Sequence, residues 1–140
     1  MKLSLRAWWS AQRRSPRLVL AVRVFAAALW ITFGFLFKVL GLVPRHRMIV
    51  ATFFGDELAG PITILVGLGE TGMGLWVLSG YRPRLCVALQ TAAIVSMNTL
   101  ELLFAWDLLL APIPMVIGNA LFLAVQWWAA LNGREARALL

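Results

Sequence analysis

Residues 61–80, PITILVGLGETGMGLWVLSG, form a nearly unbroken apolar run with one carboxylate, Glu70, at its middle. As a helix rising 1.5 Å per residue the run is about 30 Å long, the thickness of a bilayer's hydrocarbon layer. Gly67, Thr71 and Gly74 share one helical face, with Glu70 beside them, three residues from Gly67 and four from Gly74. Small residues at that spacing let a neighbouring helix approach closely. A carboxylate at mid-depth must face that neighbour, because facing lipid costs about 2.5 to 3.5 kcal/mol even on lenient insertion scales. The run therefore reads as a membrane span packed against others through a polar, small-residue face.

Composition agrees. Of 140 residues 61% are hydrophobic and 14% charged, and the mean hydropathy is +0.84. A water-soluble domain of this length needs far more polar surface than that. The net charge of +7 does not point to nucleic acid, because the basic residues flank apolar runs as topology determinants do. A lone cysteine, Cys86, excludes a disulfide within the chain.

Working outward, three further spans are expected, at residues 18–37, 85–104 and 108–131. The fold class is all-α, a polytopic four-transmembrane-helix bundle occupying residues 18–131. A basic N-terminal arm, residues 1–17, precedes it, and a short basic tail, residues 132–140, follows. The arm carries Lys2, Arg6, Arg13, Arg14 and Arg17 with Trp8 and Trp9, a mixture suited to an anionic membrane surface. Arg13 and Arg14 stand before an apolar run too long for an export signal's core, so the arm reads as a retained anchor. MIVATFF, residues 48–54, reads as a short interfacial helix. Basic residues concentrate in the arm, at Arg82 and Arg84, and at Arg134 and Arg137, against Lys38, Arg45 and Arg47 on the other side. Both termini are therefore expected to be cytoplasmic, in the cell's inner membrane.

Each span brings polar groups. Arg23, Trp30 and Gly34 share a stripe on the first, with Lys38 at its far end; Gln90, Asn98 and Glu101 sit on the third; Pro112, Asn119 and Gln126 repeat every seven residues on the fourth. Counting depth at 1.5 Å per residue puts Arg23, Gln90 and Gln126 in one layer, and Glu70, Asn98 and Asn119 deeper. Glu101 and Lys38 come out nearest the far surface. The expected contacts are Arg23 toward Glu70, Asn98 with Asn119, and Lys38 with Glu101, each relieving a group unsatisfied in hydrocarbon. Gly34, Gly67 and Gly74, with Pro112 and Pro114, are the expected helix-packing positions. This polar core is either a small cavity for a ligand, a quinone head group or a proton path, or hydrogen-bonded glue between helices.

Other chemistry is not visible. His46, between Arg45 and Arg47, reads as a solvated surface residue. With one histidine and one cysteine, no metal site, paired haem ligation or dithiol is expected. GLGETGMG lies inside a span, where close packing explains its glycines better than phosphate binding. No serine or cysteine stands near a base, so no catalytic residue is assigned.

The pattern resembles the DoxX-like family of small four-helix membrane proteins. The resemblance is carried by RVFAAALWITFGFLFK, residues 23–38, then GLGETGMGLWVLSG, residues 67–80, and LELLFAWDLLLAPIPMVIGN, residues 100–119. It covers about residues 20 to 131, with Trp30, Gly34, Lys38, Glu70, Gly74, Pro112, Pro114 and Asn119 at the family's recurrent positions. Some relatives carry a lysine before the final asparagine, where this chain has Gly118. The resemblance implies a place near membrane redox chemistry, since the family's name comes from subunits of thiosulfate:quinone oxidoreductase and similar domains occur fused to nicotinamide-dependent reductases. It implies a membrane subunit or anchor, with quinone as a possible cofactor and a soluble reductase as a possible partner. A stand-alone interaction protein, a homo-oligomer among its forms, and a small transporter are the other readings.

Overall fold

The computed structural model describes residues 16–136, with side chains described over 16–132. The expected arm lies outside the described residues except for Pro16 and Arg17. The tail lies outside them beyond Asn132 and the backbone to residue 136.

Helix α1, Pro16–Ile31, continues without a break into a π-helical segment, Thr32–Val39. Two short kinks later come α2, Pro44–Phe54, and α3, Asp56–Ser79. Helix α4, Pro83–Phe104, is followed by a single 3-10 turn, Trp106–Leu108, and α5, Pro112–Ala136. No strand occurs among the described residues. Four of these helices are long and apolar enough to cross a membrane: Pro16–Val39, Asp56–Ser79, Pro83–Phe104 and Pro112–Asn132.

The boundaries have local causes. Gly55, at φ 80°, reverses the chain between α2 and α3, and Asp56 and Glu57 follow in the first turn of α3, where carboxylates favour the positive end of the helix dipole. The second span therefore starts five residues earlier than Pro61, which α3 accommodates near its beginning. Gly80, at φ 65°, stops the same helix in the left-handed conformation that glycine adopts most readily. The turn back into α4 is tied by Trp76 Nε1 donating to the Tyr81 carbonyl at 2.7 Å. Pro83 and Pro112 open α4 and α5, a position whose amide has no helical partner anyway. The fourth span thus starts at Pro112 rather than residue 108, with the 3-10 turn taking up the difference.

Helix α1 lies centrally, packed on α3 and α5, and α5 packs on α4; α3 and α4, consecutive in sequence, touch much less. Closeness between α1 and α3 comes from glycine. A Cβ built on Gly34 would lie 2.6 Å from the Gly67 carbonyl oxygen, and one on Gly67 would lie 2.5 Å from the Gly34 oxygen. One on Gly74 would meet Ile31 at 2.8 Å and the Ala27 oxygen at 3.0 Å. Three of the five expected packing positions therefore sit where backbones nearly touch. The apolar core gathers Ala26, Trp30, Val77, Cys86 and Ile94. Outward, the bundle exposes Leu65, Leu103, Ile113 and Leu121 with many like them, a surface that water would reject and a bilayer accepts.

Candidate functional site

The polar side chains of the four spans fall into two clusters at opposite ends of the bundle. One belongs to the end where α1 begins and α3 turns into α4. Arg23 lies there, 5% exposed, with its guanidinium so close to Gly80 that a Cβ on that glycine would meet Nη1 at 2.6 Å. Gln90 accepts from Trp30 Nε1 at 2.9 Å through its Oε1, and its amide nitrogen points at Cys86 Sγ, 3.6 Å away. Gln126 is buried beside them, its Nε2 without a hydrogen-bond partner among the described residues. Arg23, Gln90 and Gln126, set at one depth by counting residues, do line one small pocket.

The second cluster is built around Lys38 and Glu70. Lys38 Nζ donates to both oxygens of Glu70, at 2.9 and 2.7 Å. The two side chains are only 10% and 8% exposed. Glu70 is oriented by the glycine contact one turn before it, which brings the π segment against α3. The expected pairing of Glu70 with Arg23 is therefore incorrect. Gly80, where Arg23 sits, is ten residues from Glu70, about 15 Å along α3, whereas Lys38 reaches it directly. The expected pairing of Lys38 with Glu101 is likewise replaced. Counting at the α-helical rise put Lys38 too far out; bonds closed five residues back, as from the Leu40 amide to the Phe35 carbonyl, wind more residues into each turn and rise less.

Glu101 nevertheless shares a cavity with that pair. The cavity measures about 390 Å³ and is walled by Trp30, Phe33, Ile94, Met97, Met115 and Phe122, within the range of small-ligand sites. Its polar groups come from every span and from α2: Lys38, His46, Glu70, Asn98, Glu101 and Asn119. Asn119 Nδ2 donates to Asn98 Oδ1 at 3.0 Å, the contact expected from their depths. Pro114 and Gly118 complete the wall on α5.

His46 corrects the reading of it as a solvated surface residue. Its ring stacks on Phe37 at 6.1 Å between centroids and meets Phe33 edge-on at 6.5 Å. Burial pushes its pKa down to about 4, with the positive charges of Lys38 and Arg45 adding to the effect. It is neutral at pH 7, able to donate from one ring nitrogen and accept at the other. Phe33 and Phe37, four residues apart on the first span, were the available sign that an aromatic partner would fold back onto them.

The combination is distinctive: a lysine closing the first span, an acidic residue in a glycine-rich second span, and prolines before a mid-span asparagine in the fourth. A family model described as the DoxX-like family matches residues 27–127, most of the chain. The protein belongs to the DoxX-like family. The match takes in Lys38, Glu70, Asn98, Glu101 and Asn119, that is, every span's contribution to the cavity. Neither a curated protein nor a solved structure matches the chain. Among the described residues no group of three or more histidine, cysteine, aspartate or glutamate side chains could hold a metal ion.

Proposed function

We propose that this DoxX-like protein is a membrane subunit serving quinone-linked redox chemistry, binding the head group of a lipophilic ligand inside its bundle. The observation that carries the reading is the cavity of about 390 Å³, apolar and aromatic on much of its wall with six polar side chains in its lining. A ring-shaped head would lie against Trp30, Phe33 and Phe122, while the Lys38–Glu70 pair, Asn98, Asn119 and Glu101 fix its polar atoms. An isoprenoid tail would leave through the apolar outer surface into lipid. No side chain in the cavity is itself an electron carrier, so the electrons would come from a separate redox partner, for which the basic arm offers a docking charge.

In this reading Glu70 sits near the bilayer midplane and both termini face the cytoplasm across the inner membrane. The basic residues of the full sequence support it: Lys2, Arg6, Arg13, Arg14, Arg17, Arg82, Arg84, Arg134 and Arg137 flank the spans on one side, against Lys38, Arg45 and Arg47 on the other. The second reading, a purely structural polar core, is favoured by the Lys38–Glu70 pair, whose groups satisfy one another without a ligand. Purification in mild detergent followed by lipid extraction separates the two. Quinone recovered with the wild-type chain, and lost from a folded Glu70→Gln variant, supports the ligand site; a clean protein with no bound lipid-soluble ring compound refutes it.

A further inference from the structure

The polar groups of the cavity are unequally satisfied, and the inequality bears on which ligand they suit. Two of the three Lys38 protons go to Glu70. The Asn98–Asn119 bond leaves two amide donors and one lone pair on Asn98, and one amide donor and two lone pairs on Asn119, so donors and acceptors cancel. Neutral His46 also brings one donor and one acceptor. Glu101 is different. It lines the cavity from α4, yet among the described residues its side chain makes no hydrogen bond and no ion pair. In its ionised form it offers acceptors only, and the cavity as a whole holds two carboxyl groups, Glu70 and Glu101, against one ammonium.

We propose that Glu101 selects a ligand whose head donates a hydrogen bond, so that the cavity takes the hydroxyl-bearing quinol in preference to the oxidised quinone. The proposal rests on the ligand-binding reading above and names the form that the site favours. A quinone carbonyl is an acceptor, and against Glu101 it places two acceptors face to face with nothing between them. A quinol hydroxyl instead gives the carboxylate a charge-assisted hydrogen bond, the stronger class of such bonds. The same hydroxyl oxygen can still accept from the Asn98 amide or the third Lys38 proton. The oxidised ring could use those two donors, but it would leave Glu101 desolvated and unanswered, which is the costly outcome in an apolar site.

The test is equilibrium dialysis of the full chain in lipid nanodiscs under nitrogen, using a decyl-substituted benzoquinol and the matching benzoquinone as probes. Wild-type protein is expected to bind the quinol at least about tenfold more tightly, the size of one charge-assisted hydrogen bond. Glu101→Gln and Glu101→Leu are both expected to bring the two affinities within about threefold, chiefly by weakening the quinol. Helical circular dichroism and a single gel-filtration peak check that each variant is folded. Equal or tighter quinone binding by the wild type, or a preference that survives both substitutions, overturns the role of Glu101 while leaving the cavity as a ligand site. Failure of both probes to bind overturns the cavity reading along with it.

Discussion

Lys38 Nζ lies 2.9 and 2.7 Å from the two oxygens of Glu70, joining the π-helical end of the first span to the middle of α3. Both side chains are almost fully enclosed, so neither charge can be answered by solvent if the other is removed. Breaking such a pair from one side costs about 3 to 5 kcal/mol, while replacing both groups with apolar side chains is often neutral. Lys38→Met and Glu70→Leu are each expected to lower the melting temperature in detergent sharply. The double variant should recover most of the loss. Single variants that melt like wild type would show that the pair contributes nothing to the bundle.

The same face of α3 makes a sharper comparison possible among its glycines. Gly67→Ala drives a methyl to within 2.5 Å of the Gly34 backbone oxygen, a neighbour that cannot swing aside. Overpacking of this kind costs about 1 to 3 kcal/mol. Gly69 and Gly72, on the outer face of the same helix, have nothing within 4 Å of an added Cβ. Alanine there should be neutral or stabilising by up to about 1 kcal/mol, the difference in helix propensity. Unfolding measured side by side for the three alanine variants checks this, and equal effects at 67 and 69 would contradict the packing described.

These two features mark how far the sequence could be read. That Glu70 faces inward followed from its position amid small residues at helical spacing, and the Asn98–Asn119 contact from counting residues along two spans. The partner of Glu70 did not follow, because depth counting assumes one rise per residue and the Thr32–Val39 segment departs from it. Nor did the place of His46. A histidine between two arginines has the local character of a solvated loop, and only the fold-back of α2 brings it onto Phe37. The cavity itself is a property of side chains from five helices together, and no single stretch of sequence encodes its volume.

His46 gives a prediction with a definite sign. Its folded pKa is depressed to about 4, below the ordinary value near 6.5. Between those two pH values the unfolded chain binds a proton that the folded chain does not, so stability must fall as pH drops from about 6.5 toward 4. Above 6.5 both states are neutral at this position and the contribution is constant. As the chain's sole histidine, it can be followed by its own NMR ring signals without assignment. A titration midpoint close to 4 is expected, and a midpoint near 6.5 would mean the ring is solvated after all. His46→Phe, which keeps the stacking surface, should remove the His46 contribution to the slope in stability between pH 4 and 6.5.

Two buried glutamines, Gln90 and Gln126, line the same small pocket at the opposite end of the bundle, yet they should respond oppositely to substitution. Gln90 is 2% exposed and holds the indole of Trp30 at 2.9 Å across helices. Gln90→Leu strands that buried donor, with a loss of about 1 to 3 kcal/mol. Gln126 is 4% exposed, and its amide nitrogen has no hydrogen-bond partner among the described residues. Gln126→Met keeps the length of the side chain and removes an unsatisfied polar group, so it should be neutral or stabilising. Thermal unfolding of both variants in the same detergent decides the matter. Gln126→Met destabilising the bundle as much as Gln90→Leu would mean that this amide is satisfied by something held in the pocket.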